Sequence, residues 1–275
     1  MRRDNKRVPA RFAWRMTAAV SLLAAVAIAA PAFAQDIAPL SNNTANQGVV
    51  AQAEKLPPGE SQAVYSDPAA PFNEAMFTLN LKLDDWVLRP VASGYATIAP
   101  LPVRQSVGRF FDNVNVIPRF ANNLFQLRLP EAGTEVARFG INTTLGVAGL
   151  FDPADAWFGL KEHPDDFGLT LRYYGCPAGP YLMLPFFGPS TVTDTIGLAV
   201  DAAMNPVSYL TYIAGVPWWV PTTVSVGSRL AQAINYRSEN LDQFEEADRY
   251  AVDLYGAVQD AYLQTREHKT KELRE

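Results

Sequence analysis

The stretch that decides the fold runs from Asp166 to Asp201 and reads DFGLTLRYYGCPAGPYLMLPFFGPSTVTDTIGLAVD. Its middle, from Gly175 to Pro189, holds three glycines, four prolines and a dense set of apolar side chains. Because proline interrupts both strands and helices, we expect this segment to be an irregular loop. Loops are usually polar, since their backbone groups need water. An apolar loop of this length therefore needs burial in protein, contact with lipid or a place along a passage.

The chain before this loop has helical periodicity. Apolar residues recur at steps of three and four over residues 71–98, which predicts a first helix that Pro90 kinks or divides. A second helix is predicted from about Pro102, with an interruption at Pro118, and a third helix opens at Pro130. No pattern indicates two strands joined by a turn, so helix is expected to dominate.

Three more helices are predicted after the loop, and the middle one runs over about residues 222–234. Ser190 or Thr191 can cap a helix that runs to about residue 203, and Asp194 lies at the spacing of a capping box from Thr191. The last helix is predicted over residues 240–268, because apolar residues line one of its sides. The charged tail, residues 269–275, is expected to fray into solvent.

The amino terminus has the pattern of an export signal. Residues 1–34 join a basic region to an apolar run and end in small residues. We expect cleavage between Ala34 and Gln35, with an uncleaved anchor as the alternative. Residues 35–66 are rich in Asn, Gln, Ala, Pro and Ser, which predicts a flexible leader before a helical domain over residues 67–268.

Charge and cysteine content restrict the partners. The formal net charge is -5, and without residues 1–34 the chain keeps 17 basic and 27 acidic residues, a net charge of -10. We therefore expect no nucleic acid partner. Cys176 is the only cysteine, so no internal disulfide is expected, and Gln35 rather than a lipid-bearing cysteine follows the predicted cleavage site.

The residues of common enzyme sites are scarce in this sequence. His163 and His268 are the only histidines, and His163 has no second His or Cys at ligand spacing, so no metal site is expected. Ser190 follows Gly-Pro rather than the pattern of a nucleophile elbow, and a helix cap explains it better. No phosphate-binding or dinucleotide-binding fingerprint is present. We predict a protein that is not an enzyme and that needs no cofactor.

Four segments together resemble the MlaA (VacJ) family of Gram-negative outer-membrane proteins. In the family's order they are DPAAPFNEAMFTLNLKLDDWVLRPVASGY (67–95), PLPVRQSVGRFFDNV (100–114), ARFGINTTLGVAGLFDPA (137–154) and DFGLTLRYYGCPAGPYLMLPFFGPSTVTDTIG (166–197). Their number and order make the resemblance specific. It is close over residues 67–201 and looser up to about residue 264.

The resemblance implies an all-α, ring-like fold of amphipathic helices, with the Gly/Pro-rich apolar loop among them. The ring would lie in the inner leaflet of the outer membrane, on its periplasmic face, around an amphipathic channel. Misplaced phospholipids would leave the outer leaflet through this channel and pass to a periplasmic lipid-carrier protein, which maintains lipid asymmetry. Association with a trimeric outer-membrane porin is also implied.

Two sets of site residues follow when the resemblance is joined to the composition. The apolar members of the loop are candidates to line the lipid channel: Tyr181, Leu182, Met183, Leu184, Phe186 and Phe187. Arg89, Arg104 and Arg138 match family positions and are candidates to contact lipid phosphates. The alternative for these arginines is structural pairing with acids such as Asp84.

Two other functional classes stay open at this point. A periplasmic scaffold would bind a protein partner through the apolar loop and carry no lipid. A lipid hydrolase would depend on Ser190 or Asp194. Many members of the family carry a cysteine directly after the signal, where this chain has Gln35. Retention at the membrane is therefore expected to depend on the apolar rim and on porin contacts.

Overall fold

The fold consists of short helices and one small hairpin. The computed structural model describes residues 66–204, 219–251 and 253–275, so the predicted signal peptide, its cleavage site and nearly all of the leader lie outside the described residues. The helices are α1 (Ala70–Leu83), α2 (Arg89–Ile98), α3 (Leu101–Val114), α4 (Val116–Phe125), α5 (Leu129–Thr144), α6 (Pro153–Phe158), α7 (Phe167–Tyr173), α8 (Val192–Met204), α9 (Trp219–Glu239), α10 (Leu241–Tyr250) and α11 (Leu254–Arg274). The strands are β1 (Tyr181–Leu184) and β2 (Gly188–Thr191).

Proline fixes where several helices begin. The first turns of α1, α2, α3, α5 and α6 each carry one: Pro71, Pro90, Pro102, Pro130 and Pro153. At the starts of α1, α3, α5 and α6 a proline costs no hydrogen bond, because the first N–H groups of a helix have no partner within it. The predicted start of a helix at Pro130 is confirmed.

The predicted interruption at Pro90 is also confirmed. A π-helical turn, Asp84–Leu88, joins α1 to α2, and the backbone N–H of Arg89 reaches back to the carbonyl of Asp84. Turns of this kind take up an irregularity in the helical hydrogen-bond ladder. The interruption predicted at Pro118 is wrong in position, because the chain breaks at Asn115 and Pro118 lies in the first turn of α4.

The prediction of an irregular apolar loop is wrong for residues 181–191. They form an antiparallel hairpin in which Tyr181 pairs with Thr191 and Leu184 with Gly188. Pro189 lies in β2 opposite Met183, and since the sheet has two strands, the missing N–H of this proline interrupts no inner ladder.

The carboxyl-terminal prediction needs two corrections. The single helix predicted over residues 240–268 is divided between α10 and α11, and the side chain of Asp253 caps the start of α11. The tail, residues 269–275, does not fray, because α11 continues to Arg274. That residue donates a hydrogen bond from its guanidinium to the carbonyl of Arg172.

Contacts between the elements follow a closed circuit. Helix α1 packs on β1, and β2 packs on α8 and α11. Helix α8 packs on α7 and α4, α4 on α5, α5 on α3, and α3 on α9. Helix α9 packs on α2 and on the π-helical turn that leads back to α1. The predicted all-α, ring-like fold is confirmed, with one hairpin inserted into the circuit.

Candidate functional site

Two asparagines of α1 hold the outer edge of β1. Asn73 donates from Nδ2 to the carbonyl of Tyr181 (3.1 Å) and accepts at Oδ1 from the N–H of Met183 (2.8 Å). Asn80, two turns later, makes the same pair of bonds, at 3.0 and 2.7 Å, with the end of β1 and the turn after it. The two amides replace a third strand, so the edge of β1 needs no water.

The six apolar candidates divide by burial. Tyr181 and Met183 are almost fully buried and pack with Phe77 and Tyr262 in the hydrophobic cluster between α1, β1 and α11. The other four are half-buried, on the opposite face of β1 or in its turn: Leu182, Leu184, Phe186 and Phe187. The alternation follows from the pleat of the strand. Two of the six therefore hold the hairpin in place, and four form a partly open apolar surface.

A buried ion cluster lies behind the hairpin. The carboxylate of Asp194 accepts from Arg172 (2.6 Å), from Arg266 (2.5 Å) and from the hydroxyl of Tyr262 (2.7 Å). Burial opposes the charge of Asp194, but the two guanidinium groups outweigh burial and keep the pKa of this carboxyl below its ordinary value. The cluster joins α7, α8 and α11.

The two residues considered for a hydrolase both have structural partners. Thr191 accepts from the backbone N–H of Asp194 (3.2 Å), which confirms the predicted cap of α8, and donates to the same carboxylate (2.7 Å). Asp194 is therefore occupied by a cap and by two arginines. Ser190 is buried, and its hydroxyl lies 3.0 Å from Oγ1 of Thr195.

The three arginine candidates do not meet at one place. Each binds another part of the protein: Arg89 binds Glu245, Arg104 binds the carbonyls of Ala99 and Ser238, and Arg138 binds Asp152 and the carbonyl of Leu160. The structural alternative thus describes their contacts, although Asp84 itself pairs with Arg237 (2.8 and 2.9 Å). Arg138 differs from the other two because it also lines a cavity.

This cavity has a volume of about 360 Å³ and opens among α3, α4, α5, α6 and the segment after α6. Ligand pockets have volumes of roughly 300–1,000 Å³, so a small polar group fits. Charged side chains dominate the wall, with equal numbers of each sign: Arg109, Arg119, Arg138, Lys161, Asp112, Asp152, Asp155 and Glu162.

Most of these charges are paired across the wall: Arg138 with Asp152 (2.8 Å), Lys161 with Asp155 (2.6 Å) and Arg119 with Glu162 (3.8 Å). Among the described residues, Arg109 and Asp112 form no salt bridge, although they lie one turn apart on α3. Arg138 is buried, and no described group accepts a hydrogen bond from its Nε. The cavity therefore offers unpaired groups of both signs.

Burial raises the pKa of Asp112 to about 6, and the charge of Glu162 raises this pKa further. Arg119 and Arg138 oppose the shift without cancelling it. Asp112 is thus mainly ionised at neutral pH, although no described cation forms a salt bridge with it.

Burial in this protein is inverted relative to a domain that folds in water. Among the described residues, twenty buried side chains are polar or charged and eleven are hydrophobic, and five of these eleven are alanines. At the same time, twenty-five large hydrophobic side chains are exposed, with Ile98 at 84% and Trp86 at 76%. An apolar exterior of this extent marks a surface that contacts membrane or protein.

Fold and site together define a class: an all-α protein with an apolar exterior, a charged cavity and a hairpin clamped to its first helix. Over residues 66–204, 219–251 and 253–275, none of the helices combines the length and the apolar character needed to cross a membrane. The chain belongs to the MlaA lipoprotein family, whose model matches residues 65–269.

Named relatives agree with this membership. The intermembrane phospholipid transport system lipoprotein MlaA of Escherichia coli (strain K12) is 32% identical over 213 residues, which cover 75% of this chain and 79% of the relative. An uncharacterized protein of Rickettsia felis is 35% identical over 202 residues, or 73% of this chain and 76% of the relative.

The fold has a solved counterpart. A structure described as "Structural basis for maintenance of bacterial outer membrane lipid asymmetry" superposes with a TM-score of 0.63 at 33% sequence identity. The match covers 75% of this chain and 100% of the other.

Sequence reasoning missed four residues of the site. Asn73 and Asn80 are polar, lie seven residues apart and therefore share one face of α1, which was the available signal for the clamp. Arg109 and Asp112 stand three residues apart on a helix. Nothing in that spacing indicates that residues as far along the chain as Glu162 would enclose them.

Proposed function

We propose that this protein is the outer-membrane component of an intermembrane phospholipid transport system. It removes misplaced phospholipids from the outer leaflet and passes them to a periplasmic carrier, which maintains outer-membrane lipid asymmetry. Membership of the MlaA lipoprotein family supports this function, as do the relatives named as parts of such a system. The proposed process breaks no covalent bond, so it includes no catalytic residue, metal or cofactor.

The single observation that carries the proposal is the inverted burial. Burial of a Leu, Phe or Met side chain contributes about 1.5–3 kcal/mol of favourable transfer free energy, which an exposed side chain does not gain in water. Twenty-five exposed hydrophobic residues are therefore unfavourable in water. The same residues are favourable against acyl chains. Buried arginines, asparagines and carboxylates provide the polar interior that a phospholipid head group needs when it crosses hydrocarbon.

In this proposal the hairpin forms the apolar wall of the lipid path. Acyl chains contact the half-buried residues of the hairpin, which are Leu182, Leu184, Phe186 and Phe187. The buried Tyr181 and Met183 fix the hairpin on its other face. A strand edge in a lipid environment requires partners for its backbone groups, and the asparagines of α1 supply them.

The arginine candidates receive different roles. Arg138 stays a candidate for phosphate contact, because it lines the cavity and its Nε has no described partner. Arg89 and Arg104 connect helices: the first joins α2 to α10, and the second joins α3 to the end of α9.

Export, location and partners belong to the same proposal. Residues 1–34 direct export and are removed between Ala34 and Gln35, and residues 35–66 link the export signal to the folded part. The apolar exterior lies in the inner leaflet of the outer membrane, on its periplasmic face. A trimeric porin and the periplasmic lipid carrier complete the assembly.

Photocrosslinking in cells tests the proposal. A photoreactive residue at Leu184 or Phe186 is expected to give adducts with intact phospholipid, identified by mass. The matched control is Glu272, an exposed residue of α11 that is remote in sequence from the hairpin, and it is expected to give no lipid adduct. Hairpin adducts that contain only protein would overturn lipid transport and support the periplasmic scaffold. Adducts that contain lysophospholipid would support the hydrolase.

A further inference from the structure

The two unpaired charges on α3 have opposite signs. Arg109 is exposed at the cavity, and Asp112 is half-buried one helical turn away. Among the described residues neither forms a salt bridge, even with the other. The remaining six charges of the wall each have a salt-bridge partner, and Arg119 is shared between Glu162 and the buried Glu135 (2.9 Å). A ligand in this cavity therefore meets one free cation and one free anion.

This arrangement selects against a ligand with negative charge alone. An anionic group that approaches Arg109 also approaches the carboxylate of Asp112, which repels it. A ligand with a phosphate and an ammonium a few bonds apart satisfies both ends of the site. Each end then forms a charge-assisted hydrogen bond.

The chemistry of the wall also distinguishes two kinds of ammonium. A primary ammonium donates three hydrogen bonds and suits a carboxylate acceptor. A quaternary ammonium has no N–H and is recognised by several aromatic rings. The wall of the cavity contains one aromatic residue, Phe139. The site therefore fits a primary amine.

We propose that this cavity binds the phosphoethanolamine head group of a zwitterionic phospholipid. Its phosphate lies at Arg109, and its ammonium lies at Asp112. This inference rests on the proposed function, because it places the head group of the transported lipid. It adds a lipid preference and assigns it to two residues that neither the apolar hairpin nor the family membership indicates.

The test measures binding of short-chain lipids to the purified full chain in detergent micelles, by calorimetry at pH 7.5. Phosphatidylethanolamine, phosphatidylglycerol and phosphatidylcholine with identical acyl chains are compared. Glycerophosphoethanolamine, which has no acyl chains, shows whether the head group binds by itself. The variants are Asp112→Asn and Arg109→Gln. The exposed residues of α10 provide matched controls, Asp248→Asn and Arg249→Gln.

The wild-type chain is expected to prefer phosphatidylethanolamine over the other two lipids. Asp112→Asn should weaken the binding of phosphatidylethanolamine about tenfold, since one charge-assisted hydrogen bond is lost. The binding of phosphatidylglycerol should stay unchanged or become tighter. Arg109→Gln should weaken the binding of all three lipids, and the two α10 variants should bind each lipid as the wild-type chain does. Asp112→Glu, which restores the charge, should recover most of the preference.

Two results would overturn the inference in different ways. If the wild-type chain binds all three lipids equally, or if Asp112→Asn weakens them equally, the head-group assignment is wrong while lipid transport stands. If no phospholipid binds to the wild-type chain, lipid transport fails as well. Circular dichroism of each variant distinguishes a lost contact from a lost fold.

Discussion

The hairpin side and the cavity side of this molecule treat polar groups in opposite ways. On the hairpin side, made of α1, the hairpin, α7, α8 and α11, buried polar groups bind one another, as the amide of Asn73 and the carboxylate of Asp194 show. On the cavity side, made of α3 to α6, Arg109 and Asp112 face a space without a protein partner among the described residues. Closed networks make a rigid wall, and open ones leave groups free for a ligand.

Two aspartates show this difference within one residue type. Arginines outweigh burial at Asp194 and lower the pKa of that carboxyl, whereas burial wins at Asp112 and raises its pKa to about 6. The charge of Asp194 therefore stabilises the fold, and the charge of Asp112 opposes it. A residue that opposes the fold and faces a cavity is typical of a functional site.

The largest effect is expected on the hairpin side, from Asp194→Asn. The variant leaves Arg172 without its carboxylate and Arg266 with one carboxylate fewer, both buried. Removal of one partner from a buried ion pair costs about 3–5 kcal/mol, so unfolding in detergent by urea should require much less denaturant. Asp248→Asn, on an exposed position of α10, is the control and should change the free energy of unfolding little.

The pH dependence of this loss has a definite sign. Because the pKa of Asp194 is lower in the folded than in the unfolded chain, its stabilisation is present above the unfolded pKa and disappears as pH falls through the folded one. The difference in the free energy of unfolding between wild type and Asp194→Asn should therefore become smaller in acid. An equal difference at pH 7 and at a pH well below 3.8, the ordinary pKa of Asp, would mean that shape, not charge, holds the cluster.

A smaller loss is expected from Asn73→Ala in the clamp. The variant removes both partners of β1 at this position and leaves a buried carbonyl and a buried N–H unsatisfied. Each such group costs about 1–3 kcal/mol, so a total near 3 kcal/mol is expected. Amide hydrogen exchange at Met183 should rise more than exchange in α5. Thr78→Ala, on the exposed face of α1, should leave the free energy of unfolding and the exchange at Met183 unchanged. Equal exchange at Met183 in both variants would contradict the clamp.

Sequence could predict the features that short segments determine. The start of α5 at Pro130, the interruption before Pro90 and the cap at Thr191 each depend on residues within a few positions. The all-α character follows from the period of the apolar residues. Local rules failed for the hairpin, since proline and glycine disfavour strands unless a partner compensates. That partner is Asn73, 110 residues before Met183.

The candidate site was predictable in composition and not in geometry. The apolar residues of the hairpin were identifiable, but their division into buried and half-buried members follows from the pleat of β1, which requires the strand to be known first. The cavity needs α3 to meet α5 and α6. Whether Asp112 lacks a cation depends on those contacts, and no spacing in the sequence reports them.

The smallest effect, with the opposite sign, is expected on the cavity side from Asp112→Asn. The folded pKa of about 6 lies above the ordinary value of 3.8, so the folded chain holds a proton that the unfolded chain has already lost between these values. Stability therefore falls as pH rises from about 4 to about 6 and stays reduced above that range. The neutral asparagine avoids this loss. The variant should be more stable than wild type at pH 8, by about 1–2 kcal/mol, and equal to it at pH 3.5.

Thermal unfolding in detergent across this pH range measures the difference. The groups that face Asp112 are Glu162, Arg119, Arg138 and Glu239, so Glu162→Gln should give part of the same gain by removing the largest repulsion. A variant less stable than wild type at pH 8 would show that Asp112 has a cationic partner within the protein. Polar groups would then be paired within the protein on both sides of the molecule, and the cavity would offer no free carboxylate to a ligand. A variant that is more stable than wild type but binds phosphatidylethanolamine less tightly would instead show that the carboxylate of Asp112 opposes folding and serves head-group recognition.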